Sequence, residues 1–365
     1  MNITEVLVQP QAVAWLPWAV QYFFYIGSAY AAAILFVIAL KFDQQSSHRL
    51  RAALVLTMAI GAVVGPLALT GDLHQPGRAW HFYVYFTPWS WMSLGSLLLP
   101  VFSGLAIITT WLYLRNDLMK LSDSQGKVFR WISKLTLGQW QISHKHMLVV
   151  SLFTALSGLT IAVYTGAEIM AVHSRPLWNQ PASPLFWFVS AFLGAVGFTL
   201  FVWLLFPNKS KQDSLTSFDL NLLKKVVSLS SVLSLVLVPI WASNNQTFSL
   251  YLSNEWVHQL AMISVLMLLS VVWGMFCLRE HYRKTGLLMM GLLALGAAWV
   301  VRWVTMMQVQ TIAKYDIGPI PYQLSLGSDG LLGIVGMFGL WLALALLASE
   351  LVSSSDKHSH LLINN

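Results

Sequence analysis

Nine runs of mostly apolar residues, each close to the ~20 residues needed to cross a bilayer, recur along this chain and leave few folds open to it. They fall at 18–40, 52–71, 90–114, 147–170, 185–206, 226–242, 256–278, 287–308 and 331–348. The sixth is the shortest and is expected to end near Pro239. Between them lie short polar stretches, and charged residues make up only 10% of the chain against 57% hydrophobic. Apolar content at that level needs lipid as solvent, so the expected fold is an all-α polytopic membrane protein of about nine transmembrane helices. The opening MNITEVLVQPQ lacks the basic start of a cleaved leader, so the first run is expected to stay as a helix.

Basic residues set the expected orientation. Of the 21 Lys and Arg, 17 fall in alternate loops on one side, and only Arg78, Arg175 and Lys314 fall in the opposite loops, with Arg302 inside a run. By the positive-inside rule the N-terminus is outside and the C-terminus inside. The formal charge of +7 therefore does not mark a nucleic-acid protein, which needs a basic face on a soluble body. Ten of the 17 tryptophans lie at expected outer ends, more than an interfacial belt requires. That outer surface is expected to make contacts. On the inner side, residues 128–135 have amphipathic character and are expected to lie on anionic membrane lipid.

The polar chemistry is concentrated outside. Residues 70–91, TGDLHQPGRAWHFYVYFTPWSW, gather Asp72, His74, Arg78 and His81; residues 164–179, YTGAEIMAVHSRPLWN, repeat that grammar with Tyr164, Glu168 and Arg175. Arg302 lies at a matching depth. Four-residue spacing puts Gln21 with Tyr25, and Tyr164 with Glu168, on shared helix faces. Each of these groups has a bland reading as an ion pair, an interhelical hydrogen bond or an interfacial aromatic. Together they suit a quinol, which needs an apolar slot, acceptors near its hydroxyls and a base to carry protons away. Asp72 and Glu168 are the candidate bases, Gln21, Tyr25, His74 and Tyr164 the other candidate ligands. Arg78, His81, Arg175 and Arg302 are expected to set the local potential or contact a partner.

Some cofactors are not expected. The histidines lie in loops or at helix ends, where bis-histidine haem ligation does not fit, and the single cysteine, Cys277, cannot hold an iron–sulfur cluster. A transporter would place polar residues and broken helices at mid-depth, whereas here they gather at one face.

Five stretches carry a family resemblance: TGDLHQPGRAWHFY, TPWSWMSLGSLLLP, YTGAEIMAVHSRPLW, RWVTMMQVQTIAKY and SDGLLGIVGMFGLWLAL. They resemble the NrfD or polysulfide-reductase type of membrane anchor, over residues 17–347, and the last two are most similar to anchors of the tetrathionate reductase type. The resemblance implies a quinol-oxidising subunit in a bacterial inner membrane. It also implies an iron–sulfur partner with ferredoxin-like 4Fe-4S clusters and a molybdopterin catalytic partner, both on the periplasmic face. Menaquinol would bind in the first four helices without haem, with Tyr164, Asp72 and Gln21 around its ring. A related anchor serving thiosulfate or polysulfide fits nearly as well. The expected division is a quinol-binding bundle over 1–171, supporting helices over 172–348 and a mobile tail over 349–365.

Overall fold

The structure is a computed structural model that describes residues 13–73, 75–121, 127–138, 140–206, 214–243, 250–312, 320 and 322–359. Among them are helices and no strand. The long ones are α1 (Pro17–Lys41), α2 (His48–Asp72), α4 (Trp91–Lys120), α6 (His144–Met170), α7 (Ala182–Leu205), α8 (Ser217–Ser243), α9 (Asn254–Cys277), α10 (Lys284–Trp303) and α12 (Leu331–Ser359). Short helices α3 (His81–Val84), α5 (Lys127–Ser133) and α11 (Val309–Thr311) lie between them. Nine helices among the described residues are long and apolar enough to cross a membrane, as the nine apolar runs predict. Of the expected tail, residues 349–359 continue α12, and 360–365 lie outside the described residues.

Local chemistry sets several of these ends. Pro17 opens α1, where its missing N–H costs nothing. Ser47 and Ser143 cap α2 and α6 through the N–H groups of Leu50 and His146. The sixth span is longer than expected. Pro239 sits inside α8, which continues through the proline to Ser243, and the Ser243 hydroxyl donates to the Pro239 carbonyl at 2.7 Å. At the other end of the fold, α10 passes through a π-helical segment, Val304–Gln308, into α11. The run expected over 287–308 thus stays helical three residues further, to Thr311.

The central element is α1, with nearly all of its side chains buried. It packs against α2, α6 and α7, and at one end against α10. Association of helices in lipid depends on close packing, and α2 supplies it with Gly61 and Gly65, four residues apart. A Cβ on Gly61 would lie 2.8 Å from the Tyr25 carbonyl, and one on Gly65 3.3 Å from Ile26. Backbones thus meet where side chains would hold them apart.

The basic loops fold onto the helix ends. Arg51 donates to the Tyr113 hydroxyl at 2.9 Å and to the carbonyls of Asp43 and Ser46, while His48 bridges Asp117 and Tyr113 at 2.9 Å each. At the opposite end, which carries Asp72, the tryptophans divide into two groups. Trp80, Trp89 and Trp91 are exposed, whereas Trp178, Trp187, Trp241 and Trp256 are buried. Three of the buried indoles donate to Thr305 or Leu177, so they tie the helices and a loop at that end together rather than forming a belt.

Candidate functional site

Two prolines open the wall of a cavity at the Asp72 end. Pro66 in α2 has no N–H to offer the Ala62 carbonyl four residues back. That carbonyl instead accepts from the Ser103 hydroxyl of α4 at 2.8 Å. Pro100 in α4 likewise deprives Ser96 of its helical donor. Ala62, Pro66, Ser96, Pro100 and Ser103 all line one cavity of about 440 Å³, and Phe82 and Tyr83 of α3 close over it. Replacing Ser103 by alanine is expected to leave the Ala62 carbonyl unpaired and to destabilise the chain by ~1–3 kcal/mol. Thermal unfolding in detergent measures this, and an unchanged midpoint contradicts it.

Tyr164 and Glu168, on one face of α6, form the polar end of the cavity. Both are buried, and Glu168 is the only carboxylate among the described lining residues. Gly95 makes room for Tyr164: a Cβ there would lie 2.1 Å from the tyrosine Cζ. On the protein side, Tyr22 of α1 lies within electrostatic reach of both Tyr164 and Glu168. Tyr22 Oη and Glu168 Oε2 have no hydrogen-bond partner of regular geometry. Leu67 and Met92, each more than two-fifths exposed, stand at the cavity wall. The cavity therefore runs from an apolar surface to a buried acid.

The other predicted residues occupy distinct places. Asp72 is half-buried, accepts from the Leu16 N–H at 3.1 Å at the start of α1, and lies within electrostatic reach of Glu168. His74 lies outside the described residues. Gln21 and Tyr25 are fully buried on α1 but do not line the cavity; the Tyr25 ring packs on Phe198 and Phe338 instead. The true α1 neighbour of Tyr164 is Tyr22. Arg78 is exposed, and His81 packs between Trp80 and Tyr85, with ring centroids 4.0 and 5.5 Å away.

Two arginines serve as fasteners. Arg175 donates to the carbonyls of Val309 and Ile312, at 3.2 and 2.6 Å, holding the carbonyl end of α11. Burial pushes its guanidinium below the usual range. Arg302 is buried where α1, α7 and α10 meet, donating to Ser190 Oγ at 2.7 Å and to the Trp187 carbonyl at 2.6 Å, with its charge over the Trp187 ring. Gln310 is buried and ties down Ala14 and Trp15.

The sequence pattern of the family described as polysulphide reductase, NrfD, matches residues 5–314. The chain belongs to the NrfD family. This NrfD-family protein is 33% identical, over 95% of its own length and 95% of the relative's, to the C subunit of tetrathionate reductase from Salmonella typhimurium. It is 22% identical to the C subunit of selenate reductase from Mesobacillus selenatarsenatis, over 83% of its own length and 75% of the relative's. The corresponding polypeptide of polysulfide reductase from Wolinella succinogenes, also designated C, is 25% identical over 63% of this protein and 70% of the relative. Nine membrane-length helices and this family together make the protein a multi-pass membrane protein.

Proposed function

We propose that this protein is the membrane anchor and quinol-oxidising subunit of a respiratory tetrathionate reductase. The observation that carries the reading is the cavity, with its apolar walls and its single buried carboxylate beside a tyrosine hydroxyl. A menaquinol ring fits the polar end, and its isoprenoid tail leaves past Leu67 and Met92 into lipid. Tyr164 hydrogen-bonds a ring oxygen. Glu168 accepts a proton as each electron leaves, and Asp72, half-buried at the end of α2, hands it to water outside. Two electrons and two protons leave the quinol in all. The electrons pass to a 4Fe-4S ferredoxin-like partner, then to a molybdopterin partner that reduces the substrate.

The membrane is the bacterial inner membrane, with the partners on the periplasmic face over the exposed Trp80, Trp89 and Trp91. Proton release on that same side makes the step electroneutral if reduction consumes protons there; proton pumping by reconstituted vesicles contradicts it. The similarity to a tetrathionate reductase subunit over nearly the whole of both sequences favours that substrate over selenate or polysulfide. The test is menaquinol-dependent tetrathionate reduction by the complex purified with its partners, beside Asp72→Asn. Asparagine keeps an oxygen for the Leu16 N–H, so the variant is expected to retain its partners while oxidising quinol more slowly. Loss of the partners would make Asp72 a docking residue, and full activity would remove it from the proton route.

A further inference from the structure

The segment after α4 turns back along that helix instead of leaving it. Trp111 Nε1 donates to the Leu135 carbonyl at 2.9 Å, and Arg115 donates to the carbonyls of Thr136 and Gly138. Trp111 lies nine residues before the end of α4, which is about 13 Å along it at ~1.5 Å per residue. Helix α4 has 30 residues, about 45 Å, against a hydrocarbon core of ~30 Å. A ~30 Å core counted from Trp91 at ~1.5 Å per residue ends near Trp111, which would put the returning segment in the headgroup layer at the basic end and Leu135 near the hydrocarbon edge.

That segment is rigid and apolar at its tip. The buried Arg115 guanidinium lies over the Trp140 ring, 3.9 Å from its centroid, and Trp111 meets the same ring edge-on. Leu137 is held at φ 53°, a left-handed conformation that residues other than glycine rarely adopt. Its side chain is nonetheless 72% exposed, with Trp131 at 66% and Leu135 at 50%. Nothing in a water-filled loop rewards strain that presents leucine. Basic residues predominate beside these side chains: Arg130, Lys134 and Lys145 are exposed and no Asp or Glu occurs from 127 to 146, while the nearby carboxylates are paired, Asp43 with His144 at 3.2 Å and Asp117 with His48 and Lys120. Trp111 also walls a mostly apolar groove of about 230 Å³ with Leu56, Ile107, Leu114 and Val352, whose one carboxylate among the described lining residues, Asp117, is paired with His48 and Lys120.

We propose that residues 130–138 and Trp140 form a re-entrant foot that binds an anionic phospholipid of the leaflet at the basic end. Its phosphate meets Arg130 and Lys134, four residues apart on one face, and an acyl chain lies against Leu135, Leu137 and the groove beside Trp111. The occupant is a lipid because the apolar tip and the basic residues sit together at headgroup depth. A soluble protein docking at this end would find the tip buried in the membrane.

The test uses the full-length protein in lipid nanodiscs of phosphatidylcholine with or without phosphatidylglycerol. A nitroxide at Leu137→Cys, in a Cys277→Ser background, reports depth through its access to oxygen and to a water-soluble nickel chelate; the same label at Glu280→Cys is the aqueous control. The label at 137 is expected to be shielded from nickel. Phosphatidylglycerol retained through purification, measured by native mass spectrometry, is expected to bind roughly 30-fold more weakly in the Arg130→Gln/Lys134→Gln double variant, about fivefold for each charge. Both substituted side chains are exposed, so the variant's melting midpoint should match that of the wild type. Nickel access at 137 equal to the control, or unchanged phosphatidylglycerol retention in the double variant, overturns the proposal.

Discussion

Glu168→Gln is expected to lower menaquinol oxidation by roughly 10²–10⁴-fold, the range that a positioned general base contributes. Glutamine has nearly the shape of glutamate and is neutral, so it spares the packing of α6 while removing the proton acceptor. Glu168 is 7% exposed and forms no ion pair with the described residues, so the change breaks none among them. The complex should form in normal amounts, and electrons supplied artificially to the partner subunits should still reduce tetrathionate. Steady-state assays with a menaquinol analogue and with a viologen donor separate the two. A Glu168→Gln complex with full quinol activity would remove the base from this account.

Gly95→Ala is expected to be almost as damaging although it adds one methyl group. The new Cβ would fall 2.1 Å from Tyr164 Cζ and 2.3 Å from its hydroxyl oxygen, so the ring must move. A displacement of about 1 Å in a group that positions substrate can cost on the order of 100-fold in rate. The destabilisation should be smaller, ~1–3 kcal/mol, because the ring end can swing into the cavity. A double-variant cycle distinguishes displacement of Tyr164 from general damage. In a Tyr164→Ala background the added methyl group should cost little further activity. Full additivity of the two losses would show that Gly95 acts through something else.

Much of the fold was legible because lipid forces a simple grammar. Each span must close its own backbone hydrogen bonds, so length and apolar content suffice to place it. The departures are small: α8 runs on through Pro239 to Ser243, and α10 continues through a π segment and α11 three residues past its apolar run, to Thr311. The site was half legible. Tyr164 and Glu168 stood out because two polar groups four residues apart in an apolar helix share a face. The same rule misled on α1, where Gln21 and Tyr25 share a face that turns away from the cavity and Tyr22 faces Tyr164. Spacing identifies which residues lie together on a helix, but only packing decides which neighbour that face meets. Gly95, Ser96 and Ser103 were missed for a related reason. Their roles depend on a tyrosine and two prolines on other turns and other helices, although Pro66 and Pro100 inside apolar runs were a visible signal of opened backbone. Arg175 and Arg302, expected to tune potential, spend their donors on carbonyls and, for Arg302, on the Ser190 hydroxyl as well. A sequence shows a charge without showing its partners.

The most direct test of the central claim is photoaffinity labelling of the intact complex with an azido-menaquinone, followed by peptide mapping. The account predicts labels on the cavity walls, within α2 from Ala62 to Leu73, α4 from Met92 to Ser103 and α6 at Tyr164 to Glu168, competed by unlabelled menaquinone. Competed labelling confined to α7 through α12 would contradict it, and would move the quinol to the other half of the protein.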